Sequence, residues 1–427
     1  MNSLSFKKLL GTVRESKGWI AVLSSTIGIK AISLFRGLYI AKYLGPEVFG
    51  ILNAIQLINQ LNKYGALGFN TIVSREVPYS EGREEKEQAT IVKNNAYSSE
   101  LILAGVLLIV GLVSSLFIHD KTIKYAIVLA TFGLFLAKLA KMHSTEIIVE
   151  KLFINFAKAT FIVEIIVTVF ILLFVPYYGM HAILFFTAFG SLLLVAYYQS
   201  RINYQFRFSI VREELKRQIK IGIPLVLDTL SYGSYRYSER FIILILLGVT
   251  DLGYYGLASR LMDSILGIAL TRVKVIKIKI SEILGSGDYV GVHNLIYRET
   301  LLFSLGLLLL APIIGLMVDY FVPVYLENYV QAIAILKLIA IASAIRIMGS
   351  FAYIILISPL VNKQKYLAPA QIAATIIIIG LSWYFHHFDT LTLYRFVIID
   401  IVGYLVYHIC LLVLYYIFFV RKYLIKP

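Results

Sequence analysis

Twelve apolar stretches, most of them about twenty residues or longer and separated by short turns, dominate this 427-residue chain. They cover approximately 19–43, 48–70, 94–118, 124–143, 152–175, 181–199, 219–247, 252–276, 295–317, 330–357, 367–385 and 392–420. A helix crossing the hydrocarbon layer needs about 20 such residues. Lipid offers no partner for backbone N–H and C=O groups, so a spanning segment must satisfy them within a helix or a closed barrel. Continuous apolar runs of this length predict helices. Hydrophobic residues make up 59% of the chain and the mean hydropathy is +0.80, too apolar for a soluble globule. The expectation is an all-α membrane protein with twelve transmembrane helices. No cleavable leader is expected, because the first apolar block is too long and lacks a small-residue cleavage site.

Charge fixes the expected topology. With the N-terminus inside, Lys and Arg crowd the cytoplasmic segments, among them Lys7, Lys8, Arg75, Lys93, Lys138, Arg207, Arg212, Lys279 and Arg421. The outer loops then hold only Lys121 and Lys124. This is the positive-inside pattern, and it requires an even number of crossings with both termini cytoplasmic. The formal charge of +15 therefore reflects topology and not nucleic-acid binding. The longest linker without a span is 200–220, so the chain divides into a six-helix lobe at 1–199, a cytoplasmic linker at 200–220 and a second six-helix lobe at 221–427. Phe206, Ile210 and Leu215 could line one face of an interfacial helix in that linker.

The halves carry a repeated turn. Leu44-Gly-Pro-Glu-Val-Phe-Gly50 follows the first span and Leu247-Gly-Val-Thr-Asp-Leu-Gly253 follows the seventh, an offset of 203. Six spans return the chain to the same side. The two lobes are thus expected to share one orientation, related by a pseudo-two-fold axis along the membrane normal. These motifs resemble a known family. Together with Gly222-Ile-Pro-Leu225, the run Glu239-Arg-Phe-Ile-Ile-Leu-Ile-Leu-Leu-Gly248 and Leu252-Gly-Tyr-Tyr-Gly-Leu-Ala-Ser-Arg260, they look like the polysaccharide-export branch of the multidrug/oligosaccharidyl-lipid/polysaccharide transporter superfamily, and most of all its O-antigen flippases. The family pattern favours Asp at the position held here by Glu239. The resemblance implies translocation of an undecaprenyl-pyrophosphate-linked oligosaccharide across the cell inner membrane. The implied partners are that substrate, membrane lipid, a polysaccharide polymerase and a chain-length regulator.

Charged residues inside the spans are the candidate site. A charge at the bilayer centre costs roughly 2.5–3.5 kcal/mol on insertion scales and needs a partner or a watery cavity. The first span carries Lys30 and Arg36. The second carries a polar stripe of Asn53, Gln56, Gln60 and Lys63. The seventh carries Asp228, Tyr232, Tyr235 and Glu239 at helical spacing, with Arg236 and Arg240 beside them. The eighth carries Arg260 and Asp263, and the offset of 203 sets Gln60 against Asp263. Glu164 in the fifth span, Lys337 and Arg346 in the tenth and Asp400 in the twelfth complete the set. Two readings stand side by side. These groups line a cationic central cavity, or they pair with one another across helices. On the first reading, Lys30, Arg36, Gln56, Gln60, Lys63, Tyr232, Tyr235, Arg236, Arg240, Arg260 and Arg346 bind substrate. Arginine suits a diphosphate because its planar fork holds two oxygens. Tyrosines, including Tyr254 and Tyr255, could stack on sugars. Glu164, Asp228, Glu239, Asp263 and Asp400 are then candidates for ion coupling. Lys337 lies nine residues from Arg346 and so on the opposite face, and is expected to reach outward.

No phosphate-binding Gly-x-x-x-x-Gly-Lys-(Ser/Thr) motif is present, no histidine cluster has metal spacing, and Cys410 is the lone cysteine. The outer loops are too short for a catalytic domain. The expected function is a flippase working by alternating access, with no cofactor, no metal and no enzymatic step. The alternatives are a multidrug/cation antiporter of the same superfamily and an integral-membrane polymerase or ligase.

Overall fold

The computed structural model describes residues 3–61, 68–358, 360, 361 and 363–425, and these are all-helical, without a strand among them. Thirteen α-helices run as α1 Ser3–Leu61, α2 Phe69–Gly82, α3 Lys86–Leu116, α4 Lys121–Val149, α5 Phe153–Tyr178, α6 Met180–Gln199, α7 Arg212–Leu246, α8 Val249–Gly285, α9 Tyr289–Tyr325, α10 Ile333–Ile347, α11 Ser350–Leu356, α12 Leu367–His387 and α13 Leu393–Tyr415. Among the described residues, eight helical stretches are long and apolar enough to cross a membrane: α3, α4, α5, α6, α9, Glu327–Leu356, α12 and Leu393–Ile425. The expected blocks 19–43, 219–247 and 252–276 fall on the long helices α1, α7 and α8, and the block 48–70 falls on α1 as far as Leu61, with its residues 62–67 outside the described part.

The chain forms two compact units. The first comprises Met1–Tyr43 with Ile58–Leu227, and the second Leu44–Leu57 with Asp228–Pro427. In the first unit α4 packs on α3 and α6, and α6 on α5. In the second, α10 packs on α8, α9 and α13, and α13 on α12.

The repeated turn has a matching role on both sides. Gly45 and Gly248 adopt φ of 68° and 99°, the left-handed region that glycine enters without penalty. Gly45 breaks α1, and Pro46 restarts it at a position where the missing N–H is tolerated. Within the second unit, a Cβ on Gly50 would collide with the Val249 carbonyl, and a Cβ on Gly253 with the Pro46 carbonyl. Residues 46 and 249, like 50 and 253, are 203 apart, so the crossing is reciprocal. Close backbone approach through small residues is a common way for membrane helices to associate. Asn53 belongs to this packing. It is buried, donates to the Phe49 carbonyl at 2.7 Å and fills the space above Gly256. It serves as helix glue and not as cavity lining.

The expected interfacial helix at 200–220 does not form. Residues 202–211 have no regular structure, and helix begins only at Arg212. The backbone N–H groups of Arg207, Ser209 and Val211 donate to Asn94 Oδ1, Ser98 Oγ and Asn95 Oδ1 on α3, at 3.0, 2.9 and 2.8 Å. Side-chain acceptors on a neighbour replace the carbonyls a helix would have supplied, which removes the reason for helix. Leu215 packs against the core of the first unit instead of sharing a face with Phe206.

Candidate functional site

Three ion-paired constellations occupy the helices that carry span charges. In the first unit, α1 and α5 are stitched along one seam. Arg36 pairs with Glu164 at 2.9 Å and donates to Thr168 Oγ1 at 3.2 Å, while Tyr39 donates to the Leu172 carbonyl at 3.0 Å. Thr168 and Leu172 follow Glu164 at steps of four, so α5 offers α1 a single face. The Arg36 and Glu164 side chains remain 18% and 20% exposed. A groove of about 380 Å³ lined by Ala31, Ile32, Phe35, Ile165, Thr168 and Val169 opens beside this pair.

The second constellation is the most buried. Arg346 of α10 contacts Glu239 of α7 at 2.8 Å and Asp400 of α13 at 3.7 Å. The Tyr404 ring lies 3.4 Å beneath the guanidinium, and its hydroxyl donates to Glu239 Oε2. Tyr255 donates to Asp400 Oδ2 at 3.3 Å. Two carboxylates share one guanidinium here. In such surroundings charges survive only when paired and hydrogen-bonded.

The third lies beside it. Arg240 donates to Ser259 at 3.0 Å and approaches Asp263 at 3.9 Å. Arg260 sits over the Phe49 ring at 4.9 Å. Asp263 of α8 thus faces Arg240 of α7.

The expected residues therefore gather as pairs. Arg36 with Glu164, Arg346 with Glu239 and Asp400, and Arg240 with Asp263 follow the cross-helix reading. Lys30 is exposed on α1, Gln56 is half-buried, and Lys337 reaches outward to Asp319 at 2.6 Å. The side chains of Gln60, Asp228, Tyr232, Tyr235 and Arg236, and the whole of Lys63, lie outside the described part of the structure. Tyr255 cannot stack on a sugar in this conformation, because it is wholly buried with its hydroxyl on Asp400. Tyr254 donates instead to Gln331 at 3.1 Å.

Several interactions escaped the sequence reading. Lys93 and Lys138, counted as cytoplasmic charges, are buried in the first unit and pair with Glu146 and Glu100 at 2.6 and 2.9 Å. Tyr97 donates to the same Glu146 at 3.0 Å. His408 accepts the N–H of Gly349 at 3.2 Å, satisfying the backbone between α10 and α11. One signal could have exposed part of this: Thr168 follows Glu164, and Tyr404 follows Asp400, each by four residues, setting a hydroxyl one turn beyond an acid inside an apolar span.

Known proteins supply the frame for this geometry. No curated protein matches the chain. Among solved structures, an inward-facing multidrug resistance MATE family transporter of the MOP superfamily superposes with a TM-score of 0.67 at 16% identity, over 91% of this chain and 95% of that one. A MOP superfamily transporter from Pyrococcus furiosus gives 0.65 at 16% identity, over 95% and 96%. A MATE transporter from Vibrio cholerae gives 0.64 at 12% identity, over 95% and 96%. At such identities the likeness is one of fold. The family model described as "Polysaccharide biosynthesis protein" matches residues 16–276, more than half of the sequence. With its apolar helices and MOP-type architecture, this multi-pass membrane chain belongs to the polysaccharide biosynthesis protein family.

Proposed function

We propose that the protein is a flippase, moving an undecaprenyl-pyrophosphate-linked oligosaccharide, of the O-antigen kind or a similar repeat unit, from the inner to the outer leaflet of the cytoplasmic membrane. One observation carries the reading: in a chain of the polysaccharide biosynthesis family, a span arginine, Arg36, is paired with Glu164 between α1 and α5 and stays partly exposed. Leaving a buried charge without a partner costs about 3–5 kcal/mol. Replacing Glu164 by two phosphate oxygens keeps the fork occupied, so the exchange is close to balanced and reversible. Cargo that must be released on the far side requires that balance. Glu164, displaced in this way, is the ion-coupling candidate nearest to the cargo contact. In the second constellation one guanidinium faces Glu239 and Asp400. Glu239 and Asp400 are the further ion-coupling candidates at that guanidinium.

The cycle we envisage is alternating access in a twelve-span protein with both termini cytoplasmic and two six-helix lobes, the apolar lipid remaining in the bilayer. The reciprocal crossing at Gly50 and Gly253 supports the two-fold relation between repeats. Lys30, Gln56, Gln60, Lys63, Arg236, Arg240 and Arg260 are the further candidates for substrate binding. A second reading, a multidrug/cation antiporter, draws on the MATE-type fold and on the acid excess around Arg346. The test is substitution of Arg36→Ala and Arg236→Ala in cells making the glycan. Lipid-linked oligosaccharide accumulates on the inner leaflet while the protein remains inserted. Normal surface glycan in both variants rejects the role assigned to these bases, and cation-dependent dye efflux by the purified protein favours the antiporter.

A further inference from the structure

The connection between α6 and α7 carries a feature that cargo transport does not use. Residues 202–211 are tied to α3 through alternate backbone N–H groups, those of Arg207, Ser209 and Val211. That period of two is the signature of an extended chain, in which alternate side chains share a face. One face therefore holds Phe206, Phe208 and Ile210, which are 42%, 61% and 42% exposed. Their neighbours Arg201, Arg207, Arg212, Lys216 and Lys220 are all exposed, against Glu213 as the exposed acid of the same stretch. Among the described residues, Arg207, Arg212 and Lys220 pair with no carboxylate, whereas Arg217 is clamped by Glu214 and Glu76 at 2.7 and 2.6 Å. Gln218 is buried, bonded to Glu214 at 2.8 Å and to the Val92 carbonyl at 3.1 Å, so the strap is anchored at its C-terminal end too. Its depth is also fixed. It meets α3 at Asn94, Asn95 and Ser98, in the polar part of that helix just before the apolar run from Leu101 begins. That is the polar end of the third expected span, 94–118.

We infer that this strap is a binding surface for anionic phospholipid headgroups, with Phe206, Phe208 and Ile210 set among acyl chains and Arg207, Arg212 and Lys220 on lipid phosphates. A basic segment near an anionic leaflet gains roughly 1 kcal/mol per Lys or Arg, about fivefold in affinity. The inference is independent of the cargo, since it needs only that the chain sits in a bilayer.

The experiment uses the full chain with its two tryptophans replaced, W19F/W383F, and a reporter at the strap, F208W. The protein is reconstituted in vesicles containing brominated phosphatidylglycerol or brominated phosphatidylcholine. The reporter should be quenched more strongly by the anionic lipid. R207Q should lower that preference about fivefold, R207K should keep it, and R207Q/R212Q/K220Q should abolish it. Equal quenching by both lipids, no quenching at all, or a preference that survives the triple substitution overturns the inference. So does displacement of the anionic lipid by a polyprenyl diphosphate at a much lower mole fraction, which would make the strap part of the cargo path. If the triple variant fails to insert, R207Q against R207K decides the matter alone.

Discussion

Replacing Arg346 by methionine leaves Glu239 and Asp400 facing one another without their shared cation. Both carboxylates are almost fully buried, at 2% and 3% residual exposure. The guanidinium is 2.8 Å from one and 3.7 Å from the other, with Tyr404 stacked on its face. Breaking a buried pair in this way costs about 3–5 kcal/mol, because an uncompensated charge remains. The stacked ring adds up to about 2 kcal/mol when the site is desolvated. R346M alone should therefore unfold at a clearly lower temperature in detergent. The companion variant R346M/E239Q/D400N removes all three charges together. Exchange of a buried ionic set for neutral groups of similar volume is often near neutral, so this variant should recover most of the lost stability. Thermal unfolding followed by tryptophan fluorescence, at one scan rate for every variant, reads both effects. If R346M matches the parent, or the triple variant is no better than R346M, then Arg346 does not serve as the counter-ion of these acids.

Other expectations follow from the same geometry. G50A and G253A each drive a Cβ into a backbone carbonyl of the opposite repeat, and overpacking of this kind costs typically 1–3 kcal/mol; the reciprocal contact predicts similar losses, measured as melting-temperature shifts, and a large loss at one site only would contradict it. N95A removes the acceptor for the Val211 N–H and the donor to Gln218, and should destabilise the first unit by about 1–3 kcal/mol in the same assay. Burial holds the Asp251 carboxyl above the usual carboxylate range. A raised acid favours the fold most when protonated, and that contribution is lost as pH rises through the raised value. D251N should therefore be more stable than the parent at neutral pH, with the difference shrinking toward pH 4; an advantage that grows on acidification would reverse the sign.

The class of the molecule was legible because lipid imposes one rule on every span, and runs such as Leu101–Leu116 and Ile372–Leu381 obey it without exception. The turn at Gly45 and Gly248 was legible as a repeat, although its reciprocal contact was not, since nothing in a motif says what lies opposite. The charged residues were found but not their partners. Arg36 and Glu164 are distant in sequence, and pairing across helices depends on rotation about each axis, which periodicity leaves free. The strap at 202–211 escaped because Phe206, Ile210 and Leu215 also fit one face of an amphipathic helix. Side chains of Asn94, Asn95 and Ser98, about a hundred residues earlier, decided against that helix. Lys93 and Lys138 looked cytoplasmic because their acids lie on other helices.

The most direct measurement of the central claim is transbilayer movement of a fluorescent polyprenyl-diphosphate-linked oligosaccharide in proteoliposomes holding the purified chain. The account predicts movement that R36A abolishes, that E164Q leaves in place with a weakened dependence on the proton gradient, and that an organic cation does not inhibit. Unchanged movement in R36A, or none in the parent together with cation-driven dye transport, would contradict it.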